Sequence, residues 1–255
     1  MARILAITNQ KGGVGKTTTA VNLAASLGAA KRRVLLVDLD PQANATMGSG
    51  VDKRTLATTV YHVLIGAHDI KRVCMRAPAG EYDLLPANRE LAGAEVEMVD
   101  LERREVRLKE ALAPIETEYE FILVDCPPAL NLLTVNGLTG AHAVLIPMQC
   151  EYYALEGLTD LIATIKKVRA HLNPALEVEG ILRTMYDPRN TLAQQVSAQL
   201  VQHFGDKVYR TVIPRNVRLA EAPSHGLPTL KFDKTSKGAQ AYLALAGEMI
   251  QRYEV

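Results

Sequence analysis

No two cysteines in this chain are spaced as C-x-x-C, and the three present, Cys74, Cys126 and Cys150, are odd in number and far apart. A disulfide framework and a zinc site are therefore not indicated, and each cysteine reads as a small buried hydrophobe. No stretch approaches eighteen apolar residues, so no spanning helix is expected. The opening MARILAITNQ runs directly into a motif and leaves no room for a signal peptide, which points to a cytoplasmic home. Net charge is lacking too: 29 Lys and Arg against 28 Asp and Glu leave +1, which excludes a polycation. The charge is unevenly spread, however. Residues 81–120 carry twelve acids against five Lys or Arg, whereas residues 207–237 carry seven Lys or Arg against Glu221 and Asp233. A basic face toward the C-terminal end is the expectation.

What is present suits a globular α/β protein. The chain has 255 residues, 48% of them hydrophobic, enough to bury a substantial core. Ile4–Thr8, Val34–Asp38, Tyr82–Pro86, Phe121–Asp125, Ala143–Pro147, Val178–Leu182 and Val208–Ile213 read as strands, several apolar on both faces. Helical patterns fall between or after them at Thr17–Gly28, Glu105–Ala113, Ala154–His171, Leu192–Phe204 and Lys237–Tyr253. This alternation predicts a doubly wound, mostly parallel sheet flanked by helices. With no repeat, low-complexity tract or long linker, residues 1–255 read as one domain; Ala43 to Gly80 is the least legible part.

The first strand leads through Asn9–Gly15 into Lys16-Thr17-Thr18, the strand–loop–helix setting of a phosphate loop. Gly12, Gly13 and Gly15, with Val14 among them, allow backbone amides to converge on phosphate oxygens, and the helix adds its positive dipole end. Lys16 is placed to neutralise β- and γ-phosphates, and the Thr17 hydroxyl to ligate Mg²⁺. The general pattern G-x-x-x-x-G-K-S/T asks for glycine at position 10, where this chain has Gln10 followed by an extra lysine, Lys11. One loop needs one lysine for its own phosphates, so Lys11 is a candidate to face a neighbour's nucleotide.

KGGVGKTT at 11–18, DLDPQ at 38–42 and ILVDCPP at 122–128 resemble the deviant Walker motifs of the ParA/MinD ATPases. QCEYYALEGL (149–158) and PRNVRLAEAPSHG (214–226) extend the likeness to the Soj-like partition proteins, in register over almost the whole chain. The resemblance implies a P-loop ATPase with ATP and Mg²⁺ as its ligands. Asp38 and Asp40 end a buried strand, where ligands of open α/β sheets bind. Alternation puts the two on the same side, about 7 Å apart. Asp40 is expected to orient the attacking water, a role the resemblance also implies, with Asp38 supporting Mg²⁺ or the loop. Asp125 ends the next apolar strand before Pro127-Pro128 and matches the acid that holds Mg²⁺ through water. For adenine the resemblance points to the ends of the late strands, here Thr184-Met185 and Pro214-Arg215-Asn216, and Pro214 and Asn216 are carried over.

The resemblance further implies an ATP-dependent sandwich homodimer, in which Lys11 crosses to the partner's phosphates and Gly12 leaves space at the interface. Such dimers bind double-stranded DNA without sequence preference; Arg189 and Arg218 match arginines used for this, and Lys207, Arg210, Lys231, Lys234 and Lys237 are candidates to widen the patch. A ParB-like protein is the implied stimulator of hydrolysis, and a nucleoid-associated location follows. Two other readings share the loop. A MinD-like division regulator would carry a basic amphipathic membrane anchor, whereas the tail GAQAYLALAGEMIQRYEV has one basic residue, Arg252, and no membrane partner is expected. A ligase or a nitrogenase-type reductase would need an organic-substrate pocket or cluster-bridging cysteines.

Overall fold

Eight strands form one sheet in the computed structural model, which describes residues 1–254. They are β1 (Arg3–Ile7), β2 (Val34–Asp38), β3 (Met75–Arg76), β4 (Asp83–Leu85), β5 (Phe121–Asp125), β6 (Ala143–Gln149), β7 (Glu177–Tyr186) and β8 (Val208–Pro214). Their order is β3-β4-β2-β5-β1-β6-β7-β8, parallel throughout except that β3 runs against β4 at one edge. All five residues of β2 and of β5 are buried, as their unbroken apolar runs require when helices cover both faces. The doubly wound α/β architecture is as the sequence predicts.

Two apolar cores lie on the two faces. One joins Leu35, Val124 and Ile146 to residues of the Ala154–His171 and Thr191–Phe204 helices. The other joins Leu5, Leu36 and Leu123 to the first helix, Lys16–Ala29, and the last, Lys237–Glu254. That last helix buries Ala239, Tyr242, Leu245, Ala246 and Met249, so the apolar stripe of the tail is spent on packing. Among the described residues no helix is long and apolar enough to cross a membrane.

The boundaries differ in places. β1 starts and stops one residue earlier than expected, because Thr8 belongs to the loop that leaves the sheet. β6 and β7 run on to Gln149 and Tyr186, pairing with each other to Gln149↔Thr184. The obscure stretch after Ala43 folds as three short helices, Asn44–Gly48, Val60–Leu64 and Ile70–Val73, before β3. Helices Leu91–Glu97 and Leu132–Gly140 were also not anticipated. The latter is buried nearly all round, Thr134, Asn136 and Thr139 included, and offers no helical stripe to read.

Candidate nucleotide site

Three neighbouring strands end level with one another. In the register of the sheet, Ile7 of β1 and Asp38 of β2 both face Asp125 of β5. The loop that follows Ile7 therefore leaves the sheet directly beside two carboxylates. This is the carboxyl end of a parallel sheet, where such folds bind ligands.

The loop is held open by its own residues. Asn9 donates to the Pro147 carbonyl at 2.9 Å and accepts the Lys11 N–H at 3.0 Å. Gly13 (φ 74°) and Gly15 (φ 89°) take the left-handed conformation that turns the chain into the Lys16–Ala29 helix. A Cβ at Gly12 or Gly13 would meet nothing within 4 Å, so space lies over the loop. Gly15 caps the helix with no side-chain hydrogen bond, which leaves the amides of the first turn free for an anion. From the other side Thr184, at the end of β7, donates its hydroxyl to the Val14 carbonyl at 2.8 Å.

The two lysines have different surroundings. Lys16 is buried and its Nζ donates to the Lys11 carbonyl at 3.2 Å. Burial lowers its pKa, and the charges of Asp125 and Asp40 oppose that shift. Lys11 is about half exposed and pairs across the loop with Glu151 at 2.6 Å, just past the end of β6. Beside Glu151, Tyr152 and Tyr153 stand 75% and 69% exposed, their rings edge to face. Gln10, in place of the usual glycine, ties the loop to the Ala154–His171 helix through a 3.1 Å bond to Thr164.

β2 ends at Asp38, and Asp40 lies beyond it in a turn closed by the Ala43 N–H on the Asp40 carbonyl. Asp38 Oδ1 accepts the Asp40 N–H at 3.2 Å, while Oδ2 accepts both the N–H and the hydroxyl of Thr46 at 2.7 Å. Both oxygens of Asp38 are thus engaged by the chain, contacts that suit the loop-supporting half of its expected role. Its pKa is pushed up to about 6 by burial, against the pull of the Thr46 bonds. Asp40 is partly exposed and accepts the Gln42 N–H at 2.8 Å.

Asp125 is fully buried, and neither of its oxygens has a hydrogen-bond partner. Burial, then the nearby Asp38, raises its pKa well above the carboxylate range; the Thr17 hydroxyl is close enough to oppose this without reaching bonding geometry. A buried carboxylate without partners, beside an uncapped helix start and open space, suits a divalent cation with a phosphate chain. Among the described residues no cluster of three His, Cys, Asp or Glu could hold a metal by itself.

At the neighbouring strand ends, Pro214 closes β8 and Asn216 follows it. The Oδ1 of Asn216 is buried, packed near Gly238, and has no hydrogen-bond partner. Arg189 and Arg218 also lie beyond these strand ends, exposed, and each is ion-paired: Arg189 with Asp187 at 2.8 Å, Arg218 with Glu221 at 2.7 Å and Asp233 at 3.4 Å. The wider basic patch does not hold together. Lys207 and Arg210 lie toward the opposite end of β8, lining a groove of about 1130 Å³ with Glu177, Glu179 and Glu248, and Lys231 pairs with Glu81. Sequence reasoning missed Thr46, Asn9 and Glu151, whose partners are distant or lie across a turn and leave no periodic signal.

Known proteins resemble the chain along its length. A family model described as an AAA domain matches residues 2–178. The sporulation initiation inhibitor protein Soj of Bacillus subtilis is 53% identical over 98% of this chain and 98% of its own. The chromosome partitioning protein ParA of Caulobacter vibrioides is 51% identical over 98% and 94%. Among solved structures, a cobyrinic acid a,c-diamide synthase from Mycobacterium smegmatis with bound ADP and magnesium superposes with a TM-score of 0.87 at 39% identity, covering 100% of this chain and 96% of that one. The septum site-determining protein MinD of Pyrococcus horikoshii, complexed with Mg-ADP, gives 0.80 at 28% identity, covering 97% and 96%.

Proposed function

Because the chain belongs to the ParA/Soj branch of the ParA/MinD ATPases, we propose that it works as an ATP-driven partition switch, dimeric and DNA-bound with ATP, monomeric after hydrolysis. It is a partitioning ATPase with ATP and Mg²⁺ as its ligands. The observation that carries the switch reading is the pair of lysines: Lys16 is buried beneath the loop, whereas the Lys11 ammonium is exposed and paired with Glu151.

In this reading the amides after Gly15 and the Lys16 ammonium bind the β- and γ-phosphates. Thr17 and Asp125 would hold Mg²⁺, which would supply neutralisation of phosphate charge. Asp40 orients the water that attacks the γ-phosphorus, and Asp38 keeps the turn carrying Asp40 in place. Pro214 and Asn216 meet the adenine. Lys11 leaves Glu151 and crosses to the nucleotide of a second copy, where Gly12 leaves room and Tyr152 and Tyr153 supply apolar surface. Dimerisation thereby depends on the γ-phosphate. The dimer binds double-stranded DNA through Arg189 and Arg218, and a ParB-like protein stimulates hydrolysis on the nucleoid. One copy forms one such unit across residues 1–255. The identity to partition proteins exceeds that to the diamide synthase, which favours partition over a ligase reaction.

The test is co-sedimentation with DNA in ATP, in ADP and without nucleotide, with self-association measured by analytical ultracentrifugation. The wild type should dimerise and bind DNA with ATP only; Lys11→Ala should remain monomeric in ATP and release DNA. Equal DNA binding in all nucleotide states, or normal dimers of Lys11→Ala, would overturn the switch.

A further inference from the structure

Thr46 lies six residues beyond Asp40, is fully buried, and has no part in the motifs of the site. Its hydroxyl does two things at once. It donates to Asp38 Oδ2 at 2.7 Å and accepts the Ala87 N–H at 2.9 Å. Its own N–H adds a second bond to the same carboxylate oxygen at 2.7 Å. The other Asp38 oxygen takes the N–H of Asp40 at 3.2 Å. A chain of hydrogen bonds thus runs from Ala87, two residues past the end of β4, through Thr46 and Asp38 to the backbone of Asp40.

The turn it supports is under tension. Ala43 has φ 52°, a left-handed conformation that side chains beyond glycine disfavour, and its N–H closes on the Asp40 carbonyl at 2.8 Å. A strained turn keeps its shape only where its surroundings hold it. Here the holding group must donate and accept simultaneously, which a hydroxyl does and a methyl does not.

We propose that Thr46 is a positioning residue for ATP hydrolysis: its hydroxyl fixes Asp38, and through Asp38 the place of Asp40 relative to the γ-phosphate. The inference rests on the reading of Asp40 as the group that orients water. Thr46 touches neither nucleotide nor water itself. It sets the geometry of the group that does, so its loss lowers turnover and spares nucleotide affinity. Misplacement of a reacting group by a fraction of its contact distance is enough to cost an order of magnitude in rate.

The experiment compares steady-state ATP hydrolysis and melting temperature for the full chain as wild type, Thr46→Val, Thr46→Ala, Thr46→Ser and Asp40→Ala. Valine keeps the shape without the hydroxyl, and alanine serves if the valine variant fails to fold. Expected are a kcat at least tenfold lower for Thr46→Val or Thr46→Ala, a KM for ATP within twofold of wild type, and recovery to within twofold in Thr46→Ser. A kcat within twofold of wild type in the valine variant overturns the proposal, as does an equal loss in the serine variant. If Asp40→Ala itself hydrolyses ATP normally, the role given to Asp40 fails and the proposal falls with it. If Asp40→Ala is inactive while Thr46→Val is normal, the proposal alone fails.

Discussion

At Asp125 the chain buries a carboxylate with no partner for either oxygen. Burial and the nearby Asp38 hold its proton more tightly in the folded chain than in the unfolded one. The sign of the linkage follows. As pH rises past the carboxylate range the unfolded chain ionises freely, the folded chain is penalised, and stability is lost. Asp125→Asn is therefore expected to stabilise the nucleotide-free protein at neutral pH by about 1–3 kcal/mol, a difference that narrows as pH falls and closes by about pH 4. The same variant should lose the rise in melting temperature that Mg²⁺-ATP gives the wild type. Thermal unfolding with and without nucleotide checks both. The motif around Asp125 was readable because an acid closing an apolar strand is conspicuous; the commitment of Asp38 to Thr46 was not, because hydrogen bonding across a turn leaves no trace in residue spacing.

The phosphate loop is an element whose shape depends on another element. Its glycines permit the turn, but the Val14 carbonyl is fixed by the Thr184 hydroxyl at the end of β7, 170 residues away in sequence. Thr184→Val keeps the packing and removes one buried bond, so ATP affinity should weaken about five- to tenfold, for a loss of roughly 1 kcal/mol. Isothermal titration with a non-hydrolysable analogue measures this, with little expected change in melting temperature. Among the secondary elements, those with a strong period were legible: β2, β5 and the Ala154–His171 helix have the bounds the sequence predicts. The short helices after Ala43 were not, since four or five residues make barely a helical turn and rely on tertiary support.

On the scale of the whole molecule, the basic residues of the C-terminal third split between two ends of the sheet. Arg189 and Arg218 follow the carboxyl ends of β7 and β8, whereas Lys207 and Arg210 lie toward the other end of β8. Both Arg189 and Arg218 are held by local acids, so DNA phosphates compete with Asp187, Glu221 and Asp233. Binding should then fall steeply with salt, because phosphate contacts release counterions. Arg189→Glu combined with Arg218→Glu is expected to lower DNA affinity in ATP at least tenfold and flatten the salt slope, with ATP-dependent dimerisation retained. Fluorescence anisotropy with duplex DNA at several salt concentrations tests this; unchanged affinity at fixed salt would remove both arginines from the surface.

The sequence by itself determined the fold class, the phosphate loop and its doubled lysine, and the acids at the ends of β2 and β5. All of these are local patterns of residue type and spacing. Only the tertiary structure decided that Asp38 is bonded to Thr46, that Lys11 rests on Glu151, and that Thr184 reaches the Val14 carbonyl. Those contacts join strand ends that the sheet order brings together and the chain keeps far apart, so no local pattern encodes them.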